Sequence, residues 1–234
     1  MFENEFIDSL KEINIILDSK QLDMFKIYKD ELIIWNDKFN LTSIVSEEEI
    51  YLKHFYDSIL LSIAYEFNTE TKLLDIGTGA GFPGIALKIV FPLINLTLVE
   101  SNNKKCGFLN NIISKLQLTN INVICSRAEE LDKKYREYFD VVTSRAVANI
   151  CILSELSLPF LSVGGLFLPM KGNIENPIDF NEILLRYGAK EEKTITYNLS
   201  IINAVRSIPV IRKINKTSLI YPREYKQIVK EFKQ

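Results

Sequence analysis

Cysteine is scarce. The three residues Cys106, Cys125 and Cys151 are odd in number and form no C-x-x-C pair, so neither a disulfide framework nor a zinc site is indicated. All three are expected to be small buried apolar residues in a reducing compartment. There is one histidine, His54, and no cysteine in a nucleophile motif. Long apolar runs are missing too: none approaches the ~20 residues that span a bilayer. The start, MFENEFIDSLKEINIILDS, is acidic and broken by charges, unlike a signal peptide. A cytoplasmic chain with no membrane partner, and a monomer, is expected. Glycine is sparse as well, nine in 234 residues, yet four of the nine (Gly77, Gly79, Gly81, Gly84) fall within eight positions.

What is present suits a well-filled core: 47% hydrophobic and 11% aromatic residues, with an ordinary 25% charged. The length fits one large α/β domain, or one with a modest appendage. The net charge of −2 conceals a polarity. Residues 1–70 carry 15 acidic and 6 basic side chains, and residues 201–234 carry 8 basic and 2 acidic. A basic tail behind an acidic head suits a polyanion approached from one side, although solvated surface elements would look the same.

Residues 1–70 read as helical, with Phe6, Leu10, Ile13 and Leu17, then Leu22, Phe25, Leu32, Trp35 and Phe39, at spacings near three and four. Ser46 followed by Glu49 starts another helix as a capping box. From residue 71 apolar runs alternate with amphipathic stretches. Strands are expected at 72–76, 95–100, 121–125, 139–143 and 164–170, and helices at 83–91, 103–117, 127–136, 147–161 and 177–187. That rhythm predicts a mostly parallel sheet with right-handed crossovers. The β-rich runs 192–199 and 203–214 predict a closing antiparallel hairpin. The expected division is a helical cap, 1–70, packed on a core domain, 71–234.

The glycine cluster follows the first strand as Asp75-x-Gly77-x-Gly79-x-Gly81, then Phe82-Pro83-Gly84. Gly79 to Gly84 also satisfies GxGxxG, with Glu100 lying 21 residues past Gly79, a match to a nicotinamide-binding unit. Asp75 pulls the other way, because a carboxylate aimed into the loop repels a pyrophosphate and favours a ligand with an ammonium and a sulfonium. Glu129 adds another acid at the third strand's end. Asp75, Glu100 and Glu129, on three successive strand ends, could serve the amino, ribose and adenine donors of S-adenosylmethionine.

These residues and their flanks resemble the guanine-N7 methyltransferases of bacterial small-subunit ribosomal RNA, the RsmG or GidB family. The likeness runs through Trp35-Asn36, Asn40-Leu41-Thr42, His54 to Ser58, Leu74 to Gly84, Phe108-Leu109, Ser126 to Glu129, Phe139-Asp140, Ser144-Arg145-Ala146, Lys171-Gly172 and Tyr221-Pro222-Arg223. It implies a class I, Rossmann-like methyltransferase using S-adenosylmethionine on 16S ribosomal RNA or the small ribosomal subunit. It places donor contacts on Gly77, Phe82, Ala128, Glu129 and Arg145, with Glu100 near the ribose. Lys171 and Arg206 would face the RNA. The chain departs from the family after Tyr-Pro-Arg, where Glu224-Tyr225-Lys226 replaces a glycine- and proline-rich basic tail, which puts an RNA role for Arg223 in question.

The chemistry fits the shortages. Guanine N7 offers a lone pair and no proton, so it needs neither a base nor a covalent nucleophile. Positioning then carries catalysis, for which Arg145, Lys171 and Arg206 are the candidate catalytic groups. Each has an ordinary alternative: Arg145 and Arg206 as ion-pair partners, Lys171 as an exposed turn lysine. His54 and Asp57 are expected to fix the cap over the pocket mouth. Phe82 is divided between donor contact and core packing, and Tyr221 and Phe232 could stack an unpaired base. A methyltransferase for a small molecule or protein, or an RNA- or nucleotide-binding module without catalysis, would keep many of these features.

Overall fold

A computed structural model describes residues 2–44, 46–67, 70–145, 148–172, 177, 179–199 and 204–232. Seven strands form one sheet in the order β3-β2-β1-β4-β5-β7-β6. The strands are β1 (Lys72–Ile76), β2 (Asn95–Glu100), β3 (Ile121–Cys125), β4 (Phe139–Arg145), β5 (Leu161–Met170), β6 (Ala189–Leu199) and β7 (Ala204–Lys213). β1 to β5 pair in parallel, and β7 joins β5 and β6 antiparallel, so the expected hairpin is there. Runs such as Leu73-Leu74 and Val141-Val142 are fully buried because helices cover both faces of a parallel sheet. The order reverses between β1 and β4, and crevices outside the carboxyl ends of strands form at such a reversal.

The head of the chain holds α1 (Phe2–Glu12) and α2 (Ser19–Phe39). Asp18 starts α2 through a reciprocal capping box with Gln21, and Asn40 ends it in the left-handed conformation. The Gln21 amide also donates to Ile89 O at 2.9 Å, tying α2 to the end of α5 (Gly84–Val90). Ser46 caps the next helix at Glu49, as expected. That helix passes through α3 (Glu47–Glu49), a π-helical turn Ile50–Tyr56 and α4 (Asp57–Ile59). Phe6, Phe25, Tyr28 and Phe55 from the head share one buried cluster with Ile85, Leu96 and Phe108 of the sheet layer. The helices α6 (Asn103–Lys115), α7 (Ile150–Ser157), α8 (Phe180–Arg186) and α9 (Tyr225–Phe232) complete the layers.

Two expectations fail locally. Residues 127–136 form two single 3-10 turns, Ala128–Glu130 and Lys133–Tyr135, instead of a helix. Leu131 is extended between them, and Asp132 caps the second turn at Lys134 N, so the helical pattern is cut by a competing side chain. The cysteines also differ from expectation. Cys106 and Cys125 are joined in a disulfide with Cα atoms 6.0 Å apart, leaving Cys151 as the buried free thiol. Their separation of 19 residues carries no spacing signal; pairing of β3 with β2 and the return of α6 bring them together. Among the described residues, no helix is long and apolar enough to cross a membrane.

Candidate active site

The glycine loop turns directly off β1. Asp75 is fully buried beneath it and uses one oxygen to accept from Thr78 Oγ1 at 2.6 Å and Gly84 N at 2.9 Å. Its other oxygen has no partner among the described residues. Glu100, at the tip of β2, accepts from Gly79 N at 2.9 Å and Asn102 N at 2.8 Å. Each Glu100 oxygen keeps a second lone pair for a hydroxyl. A Cβ at Gly81 would lie 2.6 Å from Ile85 and from the Tyr28 hydroxyl, so glycine there lets the loop approach the cap. Gly79 has φ of 62° and its Cβ direction is open, Lys105 Nζ being nearest at 3.9 Å. That space above the loop is where a ligand can reach the backbone.

Beside the loop lies a cavity of about 180 Å³ whose walls include Gly77, Ser101, Ala128, Glu129 and Tyr225. Arg127, Glu129 and Tyr225 also border a wider cleft of about 630 Å³. Tyr225, from the first turn of α9, is a wall residue that sequence reasoning did not single out. Nothing near position 225 in the sequence signals that its ring returns to residues a hundred positions earlier.

On the other side of the strand reversal lies a cavity of about 450 Å³. Its walls bring Thr42, Lys53, His54 and Asp57 of the head to Arg145, Lys171 and Arg206 of the sheet. Arg145, at the end of β4, donates to Lys53 O at 3.0 Å, His54 Nδ1 at 2.9 Å and Asp57 Oδ2 at 3.2 Å. The π-helical turn presents the Lys53 and His54 acceptors, and Asp57 follows it at the start of α4. Asp57 accepts from the Tyr197 hydroxyl at 3.0 Å and lies 3.9 Å from Arg206 Nε. Lys171 and Ser207 exchange backbone hydrogen bonds, which sets the Lys171 stem next to β7, and its ammonium donates to Ala148 O. Burial lowers the Lys171 ammonium below its ordinary value. The three candidate cations thus share one cavity, and the ion-pair alternative for Arg145 holds alongside its place in the wall.

Phe82 is packed between Tyr28 and His54, stacked on the imidazole at 4.4 Å and 8°. Core packing is the geometry found for it. Tyr221 packs edge-on against Tyr187, and Phe232 against the second buried cluster, and both rings stay half-buried. Arg223 is held by Glu155 and Glu231.

His54 is buried, and desolvation with the nearby charges of Arg145 and Lys53 pushes it down to about 3. The unfolded chain takes up a proton at His54 below about 6.5, while the folded chain does not until about 3. Its contribution is therefore fully present above pH 6.5 and is lost as pH falls, by about 2 kcal/mol between pH 6.5 and 5. Asp75 acts in the opposite sense, since burial raises its carboxyl to about 6 and the folded state gains stability as pH falls through the same window. The readout is accordingly a difference. Denaturant unfolding of wild type and His54→Asn is expected to converge by about 2 kcal/mol between pH 6.5 and 5, and a pH-independent gap would show that His54 titrates normally.

A family model described as rRNA small subunit methyltransferase G matches residues 21–197. Proteins named ribosomal RNA small subunit methyltransferase G are similar along nearly the whole chain. That of Oceanobacillus iheyensis is 42% identical over 228 residues, covering 96% of each chain. That of Lachnoclostridium phytofermentans is 44% identical over 222 residues, covering 93% of this chain and 92% of its own. Among solved structures, a SAM dependent methyltransferase from Aquifex aeolicus aligns with a TM-score of 0.56 at 13% identity, over 74% of this chain and 97% of its own. M. jannaschii TYW2 in complex with AdoMet aligns at 0.54 and 16%, over 68% and 77%. At such identities these two likenesses concern the fold.

Proposed function

This chain belongs to the rRNA small subunit methyltransferase G family, and we propose that its acidic strand tips hold the methyl donor while the 450 Å³ cavity receives the guanine. The enzyme transfers methyl from S-adenosylmethionine to N7 of a guanine in 16S ribosomal RNA, the N7 specificity being that of the family. The donor supplies a methyl group on a sulfonium: the bond to N7 forms as the S–CH3 bond breaks, and its electron pair returns to sulfur.

The observation that carries the proposed division is how charge is sorted along the sheet edge. Asp75, Glu100 and Glu129 gather at the tips of β1, β2 and β3; Arg145, Lys171 and Arg206 gather at β4, β5 and β7. The boundary between the two groups is the strand reversal. The acid side fits a cationic nucleoside: Glu100 has lone pairs free for a diol, Asp75 keeps one buried oxygen unpartnered, and the space over Gly79 is open. A diphosphate there would meet the Glu100 and Glu129 carboxylates, with Asp75 buried beneath the loop. The cationic side suits a phosphate-bearing acceptor. No residue has to remove a proton, and His54, with both ring nitrogens engaged, is not placed to do so. The chain's contribution is to orient the acceptor, which is worth roughly 7–11 kcal/mol of barrier when done well. In this reading residues 1–70 cap a methyltransferase domain of 71–234, and the enzyme works as a monomer in the cytoplasm, where its RNA is made.

S-adenosylhomocysteine is expected to raise the melting temperature and NAD to leave it unchanged; at a hundred times its Kd a ligand adds about 2.7 kcal/mol. Gly79→Val fills the open space and should abolish that gain, so an undiminished shift would remove the loop from the donor site. Mapping N7-methylguanine in small-subunit RNA from cells with and without this protein tests the acceptor side.

A further inference from the structure

We propose that Thr42 selects the target base, its hydroxyl donating a hydrogen bond to guanine O6; this rests on the 450 Å³ cavity being the acceptor pocket. The argument is a chain of directed hydrogen bonds. Arg145 Nη2 lies 2.9 Å from His54 Nδ1, and a guanidinium can only donate. His54 Nδ1 is therefore the bare nitrogen, and in this neutral, buried ring the hydrogen sits on Nε2. That nitrogen is 3.0 Å from Thr42 Oγ1, to which it must donate. Ile44 N donates to the same oxygen at 3.1 Å. Both lone pairs of the hydroxyl are thereby filled, and its own hydrogen has no acceptor among the described residues.

The side chain is also held in place. Asn40 ends α2, and Asn36 Oδ1 accepts from Thr42 N at 2.8 Å. Thr42 borders the cavity together with His54, Arg145, Lys171 and Arg206. The cavity wall thus carries a neutral hydroxyl that can donate and cannot accept. On the purine edge bearing N7, guanine offers an acceptor at C6 and adenine an amino donor. A donor-only hydroxyl pairs with the first and is left facing a hydrogen in the second. Engaging O6 rather than N7 also leaves the N7 lone pair free to attack carbon. Thr42 is a positioning and specificity residue, and Arg145 acts on it through His54.

The test compares two small-subunit RNAs that carry, at the methylated position, either guanosine or 2-aminopurine riboside, which keeps N7 and replaces O6 by hydrogen. Wild type and Thr42→Ser should prefer guanosine, and Thr42→Val should lose that preference through a fall of roughly 10- to 100-fold in kcat/KM on guanosine alone. If Thr42→Val turns over too slowly to read, the affinities for the two RNAs with S-adenosylhomocysteine bound are compared in the same way. A thermal shift with S-adenosylhomocysteine equal to that of wild type shows an intact variant. An equal guanosine preference in wild type and Thr42→Val overturns the proposal. Failure of the wild type to methylate the guanosine RNA would instead overturn the reading of the cavity on which it rests.

Discussion

Arg223→Ala is expected to destabilise the protein by about 3–5 kcal/mol, because it strands a buried charge. Glu155, on α7, is wholly buried. It accepts from Arg223 N and Nε at 2.9 Å, from Arg223 Nη2 at 2.6 Å, and from the Tyr187 hydroxyl at 2.9 Å. Removing the guanidinium leaves this carboxylate with one hydroxyl and one amide in a low-dielectric interior. A lower denaturation midpoint at unchanged slope is the expected measurement. Arg223→Ala combined with Glu155→Gln should recover part of the loss, since no net charge then stays buried. An unaltered midpoint in the single variant would mean that water reaches Glu155. Arg223 also holds Glu231 of α9 at 2.7 Å. The same change should therefore loosen the helix that brings Tyr225 to the smaller cavity, and lower S-adenosylhomocysteine affinity.

Lys171→Ala and Arg206→Ala are each expected to slow RNA methylation by about 100-fold, the usual scale for one positioned donor in a partly closed site. The thermal shift from S-adenosylhomocysteine should persist, because both side chains border the 450 Å³ cavity and neither borders the smaller one. Salt dependence separates two roles. If a cation neutralises a phosphate, its loss reduces the slope of log affinity against log salt by about 0.7–0.9. If it contacts the base, affinity falls with the slope unchanged. Equal losses of methylation and donor binding would show that the two cavities have been assigned the wrong way round.

Arg145 shows how a site residue can be visible in the sequence while its work is not. Its place after Ser144 at a strand end marked it as a site residue. Its partners Lys53, His54 and Asp57 lie 88 to 92 positions earlier, with nothing local to associate them. Phe82 is similar: the loop motif placed it next to Gly81, but only the stacking of the head on the sheet decided that it lies between Tyr28 and His54. Thr42 was part of a recognisable stretch and still gave no sign of its role, because the direction of a hydroxyl hydrogen depends on which donors surround the oxygen.

By itself the chain dictated its strands, the parallel sheet with a terminal hairpin, and the glycine turn after β1. Apolar periodicity, turn chemistry and the lack of a Cβ all act within a few residues of where they are written. The reversal of strand order between β1 and β4, and the docking of residues 2–44 on that edge, decided the rest. Those two features set which charges share a cavity and joined Arg145 to Thr42 through His54, while packing of the C-terminal segment against α7 committed Arg223 to Glu155. The Arg145–His54 and Arg223–Glu155 contacts link segments 91 and 68 residues apart through packing, and no local pattern encodes them.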